Sequence, residues 1–148
     1  MIDQQTDLAS SSVSLVIPCR PEYVALCRLV AGSLGARDRL DEEVVSDIKV
    51  IVTEACNCFL AMAASDKACD GASPASSIRM DFDSRADAFV VSVLYPERRD
   101  VISWLEGCDS MSEAGLGLTI LKALTDEMFE VDSEAEGTVL RLTKLLQA

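Results

Sequence analysis

The chain has 148 residues, 49% of them hydrophobic, and carries a formal net charge of −12 with no histidine. This length and hydrophobic content suit a single folded domain and argue against a disordered chain. The acidic balance disfavours direct binding to nucleic acid, which needs a basic surface. The absence of histidine excludes imidazole-based triads and most zinc sites.

The N-terminus and the cysteines indicate where the protein resides. We expect residues 1–11 to form a flexible tail ahead of one domain over 12–148, because this stretch is polar and acidic, unlike a secretory signal. No apolar run free of charge reaches the length of a membrane span. The six cysteines show no Cys-x-x-Cys spacing and are expected to be reduced thiols. We therefore predict a cytoplasmic protein that makes no membrane contact.

The first half of the chain predicts one strand and two helices. Alternating apolar residues over 13–17 predict a short strand that Pro18 closes. An amphipathic helix follows over 21–35, with Pro21 in its first turn, where proline is tolerated. A second helix begins near Asp41, and its first turn is acidic, as the helix dipole favours.

The second helix contains an almost uncharged stretch, Val50–Ser65, in which Glu54 is the only charged residue. The apolar positions cover more than one helix face, which predicts that the helix enters the middle of the fold. A carboxylate there has to be paired, hydrogen-bonded, metal-bound, protonated or placed at the mouth of a cleft. Glu54 is therefore the leading candidate for a functional residue, and a structural carboxylate tied to the backbone is the alternative.

The second half predicts a sheet with two more helical segments. After a loop over 65–77, strands are expected over 78–82 and 89–95, and the latter is apolar on both faces, as in a central strand. A short helix over 101–105 and a longer one after Ser112 come next. Two final strands are expected at 128–132 and 137–144. The order predicts an α+β two-layer sandwich, with helices on one face of a mixed, mainly antiparallel sheet.

The helix after Ser112 has two glycines, Gly115 and Gly117, in its opening turn. Each glycine costs about 1 kcal/mol relative to alanine in a helix interior, so a compensating role is expected. A bare backbone would let an anion approach the helix N-terminus. Close packing of the helix start on the sheet would explain the glycines equally well.

Together with the order of elements, several short segments resemble the histidine-kinase-like ATPases, and more narrowly the anti-sigma-factor serine kinases of the RsbW-like group. The segments are Ile17-Pro18 with Pro21-Glu22 and Arg28, Thr53–Cys56, Gly115–Leu118, Asp126-Glu127 and Glu136–Val139. The resemblance covers roughly residues 13 to 145.

This resemblance implies ATP and Mg²⁺ as cofactors, with Glu54 as the catalytic residue that prepares a serine hydroxyl or water for attack. The cofactor-binding residues on this view are Gly115, Leu116, Gly117, Leu118 and Thr138, with Arg98 and Arg99 adding positive charge beside the cleft. Members bind a sigma factor, phosphorylate an antagonist protein on serine and commonly form homodimers.

Three positions depart from the family pattern. Cys58 stands where the magnesium-binding asparagine belongs, and Asn57, the remaining metal candidate, is one place early and rotated by about 100° around the helix. The segment Tyr95–Arg99 lacks the aspartate and glycines that would bind adenine. Glu136 replaces the first glycine of the usual Gly-Gly-Thr.

We therefore predict an anti-sigma-factor-like regulator of a partner-switching pathway with a degenerate nucleotide site. An active ATP-dependent serine kinase is the first alternative. A thiol-based switch built on Cys56 or Cys58 is the second, and it requires a thiol with a depressed pKa.

Overall fold

The structure, a computed structural model, describes residues 10–70, 77–95, 99–133 and 137–146. The strands are β1 (Ser10–Pro18), β2 (Ser77–Arg85), β3 (Ala88–Tyr95), β4 (Glu127–Ser133) and β5 (Gly137–Leu145). The helices are α1 (Val24–Arg37), α2 (Glu42–Asp70), α3 (Val101–Glu106) and α4 (Glu113–Leu124), with a single 3₁₀ turn at Pro21–Tyr23. This is the predicted α+β fold, with helices packed against one sheet.

The five strands form one sheet in the order β1-β2-β3-β5-β4. The predicted central position of β3 is confirmed. The sheet was expected to be mixed, but all four pairings among the described strands are antiparallel. The last two strands form a hairpin. Its second strand, β5, pairs antiparallel with β3, and its first strand, β4, lies at the edge of the sheet.

The two faces of the sheet have different environments. On β3, Phe89, Val91, Val93 and Tyr95 are buried against the helices, and the ring of Tyr95 meets that of Phe59 from α2 at 5.7 Å between centroids. Because side chains alternate across a strand, the residues between these positions point to the opposite side. The described helices thus pack on the face that these four residues line.

The long helix α2 runs through the core and packs against both α1 and α4. Within it, Glu42–Ser65 is long and apolar enough by composition to cross a membrane, but half of its most apolar window is buried inside the fold. Its buried residues include Ile51, Ala55, Phe59 and Met62. A core helix explains the apolar sequence, because it packs against α1, α4 and β3 at once.

Several predicted element boundaries shift by a few residues. The helix α2 continues to Asp70, beyond the loop start expected at residue 65, because alanine and lysine in 66–70 favour a helix. The strand β1 begins at Ser10, inside the stretch expected to be a tail, and residues 1–9 lie outside the described residues. So do residues 71–76 of the predicted loop and residues 134–136 between the last two strands.

Candidate functional site

The structure brings Glu54 and Gly117 together where α4 crosses α2. A Cβ atom at Gly117 would lie 3.1 Å from Glu54 Oε1 and 3.1 Å from Cys58 Sγ. Such contacts are tighter than ordinary van der Waals packing, so glycine at this position lets the helices approach closely. Glu54, Cys58 and Gly117 therefore form one cluster, called the Glu54 cluster below.

Glu54 is partly buried in this cluster, and its electrostatic surroundings are unfavourable to a negative charge. Burial, and secondly repulsion from the Glu113 carboxylate at the start of α4, raise the pKa of the Glu54 side chain. A carboxyl with a raised pKa accepts a proton more readily near neutral pH, which suits a general base.

Cys58 occupies the position one turn after Glu54, and its side chain is only 1% exposed. Its Sγ lies 3.9 Å from the carbonyl oxygen of Ala114. Burial, then the negative charge of Glu54 and the neighbouring Cys108, raise the pKa of the Cys58 thiol to about 12. The thiol is therefore neutral at physiological pH, and Mg²⁺ prefers hard oxygen ligands.

The predicted metal ligand Asn57 is outside the contacts that define the Glu54 cluster, and its role stays a prediction. The contacts around Gly117 involve Glu54 and Cys58, whereas Asn57 lies one position away on a partly buried side of α2. In the described part of the chain, no group of three or more Cys, Asp or Glu residues could hold a metal ion. The donor set at the Glu54 cluster thus does not fit Mg²⁺.

The start of α4 is capped by a side chain of its own segment. Ser112 is the N-cap residue, and its Oγ accepts a hydrogen bond of 3.1 Å from the Gly115 amide while donating one of 2.6 Å to the Asp109 carbonyl. This bond satisfies one of the free amides that an anion would otherwise use. Leu116 is exposed, whereas Leu118 packs into the core.

Gly115 is buried against the backbone of the turn that precedes the helix. A Cβ atom there would lie 2.1 Å from the carbonyl oxygen of Asp109, closer than any real contact. Close packing therefore accounts for Gly115, although the neighbour is a turn rather than the sheet that the sequence suggested. The role of Gly115–Leu118 in phosphate binding stays a prediction.

Thr138 and Arg99 form a second cluster. The Arg99 amide donates to the Oγ1 of buried Thr138 at 2.9 Å, and this hydroxyl lies 3.1 Å from the Arg99 carbonyl and 3.3 Å from an Asp132 carboxylate oxygen. The Arg99 guanidinium lies 6.0 Å from the centre of the Trp104 ring. These contacts hold Arg99 against β5. Arg98 lies outside the described residues.

Sequence reasoning missed three polar residues that shape this region: Ser112, Glu113 and Glu130. A serine three residues before the first glycine of a helix is an N-cap signal, so the role of Ser112 was readable. Glu130 on β4 accepts hydrogen bonds of 3.0 and 3.1 Å from the amides of Val101 and Ile102, and so caps α3. No local pattern links two segments that far apart.

The Cys56 and Cys58 thiols do not have the electrostatics of a sensor. Cys56 is fully buried and hydrogen-bonded to Cys27 of α1, and both that bond and burial raise its pKa. The pKa of Cys58 is raised as well. A reactive thiol needs a depressed pKa and access to solvent, so the switch based on Cys56 or Cys58 loses its physical support.

An open groove of about 440 Å³ lies between α1 and α2, outside the Glu54 cluster. Its lining combines two cations, Arg28 and Lys49, with Leu29, which is 65% exposed. A Cβ at Gly32 would lie 2.7 Å from Lys49 Cε, so the glycine lets the lysine chain lie across α1. The groove is called the α1–α2 groove below.

The chain is similar to known proteins over most of its length. Residues 17–144 match the model of the histidine kinase-like ATPase domain family. The chain is 28% identical over 142 residues to the serine-protein kinase RsbW of Bacillus pumilus (strain SAFR-032), covering 90% of this chain and 85% of that relative. It is 27% identical over 143 residues to RsbW of Bacillus subtilis (strain 168), with the same coverage.

A solved structure shares the fold. A chain from the SiaB–SiaC complex of Pseudomonas aeruginosa superposes with a TM-score of 0.66 at 14% sequence identity. The match covers 99% of this chain and 95% of that chain. At this identity the likeness concerns the fold alone.

Proposed function

The chain belongs to the histidine kinase-like ATPase domain family, and from this premise we propose that it is an anti-sigma-factor-like regulator whose nucleotide site is degenerate. It would act in the cytoplasm by binding a sigma factor, an antagonist protein, or both in turn. The similarity to RsbW kinases supports the partner-switching role.

The single observation that carries the proposal is the Cys58 thiol. A pKa of about 12 keeps this side chain protonated, and its 1% exposure leaves little room for water or an ion beside it. A protonated thiol has no strong donor for Mg²⁺, and no cluster of acidic residues replaces it in the described part of the chain. The chain's own residues therefore do not supply the metal site that the family chemistry needs.

The start of α4 alone is too weak to hold a nucleotide. Helix-terminus electrostatics contribute about 0.3–2 kcal/mol, whereas a micromolar site requires about 8 kcal/mol. One helix amide is already bonded to Ser112, and the net charge of −12 repels a polyanion. Arg99 adds one positive charge beside Trp104, and its backbone amide is hydrogen-bonded to Thr138.

The α1–α2 groove supports partner binding. It presents an exposed leucine together with two cations on a protein that is otherwise strongly acidic. Apolar anchors flanked by arginine are typical of protein–protein interfaces. An acidic segment of a partner protein fits this combination.

An active serine kinase is the second candidate, because Glu54 has the properties of a general base. Its carboxylate is partly exposed and its pKa is raised by burial and by Glu113. In this case Glu54 would accept the proton of a serine hydroxyl, and the amides at Gly115–Leu118 would contact phosphates. This candidate requires that Mg·ATP binds despite Cys58.

Calorimetric titration of the wild type with Mg·ATP distinguishes the two candidates. The degenerate site predicts no heat of binding up to millimolar ATP. The control is Gly117→Trp, which would fill the contact between Glu54 and Cys58. Micromolar binding in the wild type that is lost in this variant would refute the degenerate site and favour the kinase.

Partner binding needs a separate measurement on candidate sigma factors and antagonists encoded by the same genome. Reversing Arg28 or Lys49 to glutamate should weaken binding of the acidic partner about tenfold or more. Lys122→Glu is the matched control, because Lys122 on α4 lies outside the α1–α2 groove and pairs with exposed Glu106 at the end of α3. Equal binding by all variants would show that the α1–α2 groove is not the partner surface.

A further inference from the structure

Two buried thiols face each other where α1 packs on α2. Cys27 of α1 and Cys56 of α2 are both 0% exposed, and their side chains are hydrogen-bonded to each other. Neither thiol belongs to the Glu54 cluster or lines the α1–α2 groove. The function proposed above therefore leaves this pair without a role.

Glycines of α1 bring the two helices close together beside the pair. A Cβ atom at Gly35 would lie 2.8 Å from a methyl carbon of Val45, and one at Gly32 would lie 2.7 Å from Lys49 Cε. These contacts move toward the N-terminus of α1 and toward the C-terminus of α2, so the helices are antiparallel. Continuing the same run by roughly one to two turns brings the two cysteines opposite each other.

This close approach is what a disulfide between two helices requires. The two Cα atoms of a disulfide usually lie about 4.4–6.8 Å apart, so loosely packed helices cannot be bridged without backbone movement. Here the sulfur atoms are already in hydrogen-bonding contact. A covalent bond of about 2 Å therefore needs a movement of only about 1–2 Å.

The hydrogen bond gives the two thiols different chemical roles. It lowers the pKa of Cys27, against the opposing effect of burial, because the S–H group of Cys56 stabilises the Cys27 thiolate. The same bond, followed by burial, raises the pKa of Cys56. Cys27 is thus the nucleophile of the pair, and Cys56 keeps its proton.

We propose that Cys27 and Cys56 form a redox site that hydrogen peroxide oxidises to a disulfide, which cross-links α1 to α2. The Cys27 thiolate attacks one peroxide oxygen and the O–O bond breaks. Cys27 becomes a sulfenic acid, and the leaving hydroxide takes up the proton that Cys27 had released, which gives one water.

The second step forms the bond between the helices. The Cys56 sulfur attacks the sulfenic sulfur of Cys27, and the sulfenic hydroxyl leaves with the Cys56 proton as a second water. In total the two thiols lose two electrons and two protons, and one hydrogen peroxide is reduced to two waters. A dithiol reductant reverses the reaction by thiol–disulfide exchange.

The burial of the pair selects a small oxidant. Hydrogen peroxide is neutral and not much larger than water, whereas a peptide disulfide is too bulky to reach two sulfurs that are 0% exposed. The helix α1 packs mainly on α2, so a local opening of this helix admits a small molecule without unfolding the sheet. Reversible oxidation of this kind is the usual role of a disulfide in a reducing compartment.

The cross-link joins the helix that carries Arg28 and Leu29 to the helix that carries Glu54. It closes a loop of about 30 residues and so removes conformational freedom from states in which α1 has opened. Oxidation should therefore make the opening of α1 rarer. The proposal concerns this chain alone and holds whether or not it binds a nucleotide or a partner protein.

Treatment of the folded wild type with hydrogen peroxide, followed by mass spectrometry without reductant, tests the redox site. One disulfide lowers the intact mass by about 2 Da, and a dithiol reductant should restore the original mass. Hydrogen exchange of the α1 amides should slow at least about tenfold in the oxidised protein and recover on reduction.

Single substitutions identify the two sulfurs. Cys27→Ala and Cys56→Ala should each abolish the disulfide, whereas Cys19→Ala and Cys58→Ala should keep it. Cys58 is a matched control because it is also buried on α2, and Cys19 because its partly exposed thiol interacts electrostatically with Cys56. Circular dichroism checks that every variant folds, and fragmentation of the linked wild-type peptides identifies the pair if a variant does not.

Three results would overturn the proposal. The first is a wild type that gains oxygen without forming a disulfide. The second is a disulfide that persists in folded Cys27→Ala or that links other cysteines in the wild type. The third is an oxidised protein in which the α1 amides exchange as fast as in the reduced protein.

Discussion

Replacing Cys58 with asparagine should restore a binding site for Mg·ATP, because it returns an oxygen ligand to the position one turn after Glu54. In the wild type, using the thiol as an anionic ligand at pH 7 would mean deprotonating a group with a pKa of about 12. Five pH units correspond to about 7 kcal/mol. That penalty is close to the whole binding free energy of a micromolar site, about 8 kcal/mol.

The substitution also has a predictable effect on stability. An asparagine amide at this buried position can donate to the Ala114 carbonyl, which lies 3.9 Å from the present sulfur. Its remaining polar groups would lack partners, so the free energy of unfolding should fall by about 1–3 kcal/mol without ligand. Adding Mg·ATP should recover part of this loss by selective binding to the folded state.

Calorimetry with Mg·ATP measures the affinity, and urea unfolding with and without Mg·ATP measures the stability. Cys58→Ala is the control, because it removes the thiol without supplying an oxygen. We expect binding in the asparagine variant that is at least tenfold tighter than in the wild type and in the alanine variant. The reasoning is refuted if the wild type binds as tightly as the asparagine variant, or if the folded asparagine variant gains no affinity.

Three further predictions concern stability measured by urea unfolding. Burial and Glu113 raise the pKa of Glu54, so the folded state binds this proton more tightly than the unfolded state does. The free energy of unfolding therefore falls as the pH rises from the pKa of Glu54 in the unfolded state through its pKa in the folded state. Glu54→Gln should therefore be more stable than the wild type at pH 7 and equal to it at pH 4; an equal difference at both pH values would contradict this. Gly115→Ala should lose about 2–4 kcal/mol through its clash with the Asp109 carbonyl, whereas Gly107→Ala, where the nearest neighbour would be 3.5 Å away, should change by less than about 1 kcal/mol. Thr138→Val should lose about 1–3 kcal/mol because the partly buried Arg99 amide loses its acceptor; no loss would show that this bond is dispensable.

The sequence predicted the fold class because its signals are local. Alternating apolar residues marked β2 and β3, and the two-sided apolar pattern of β3 placed it at the centre, as the strand order confirms. The end of α2 was misplaced because a shift toward small and polar residues after Ser65 resembled a loop. Alanine and lysine nevertheless permit helix, so composition alone did not mark the boundary.

The site was only partly predictable, because its geometry depends on contacts between distant segments. Glu54 was identified from a single charge in an apolar helix, and its meeting with Gly117 follows from how α4 crosses α2. The tie between Thr138 and Arg99 and the cap from Glu130 join residues about 30 to 40 positions apart. Such pairs leave no periodic or motif signal along the chain.

The cap on α3 has a consequence for the order in which the protein folds during synthesis. This helix has only six residues, too few to be stable alone, and the acceptor for its first amides is Glu130. While the ribosome is still producing residues before β4, the α3 segment has neither its cap nor the Thr138 anchor beside it. The region that borders the Glu54 cluster therefore acquires its shape last, once the C-terminal hairpin has emerged and paired with β3.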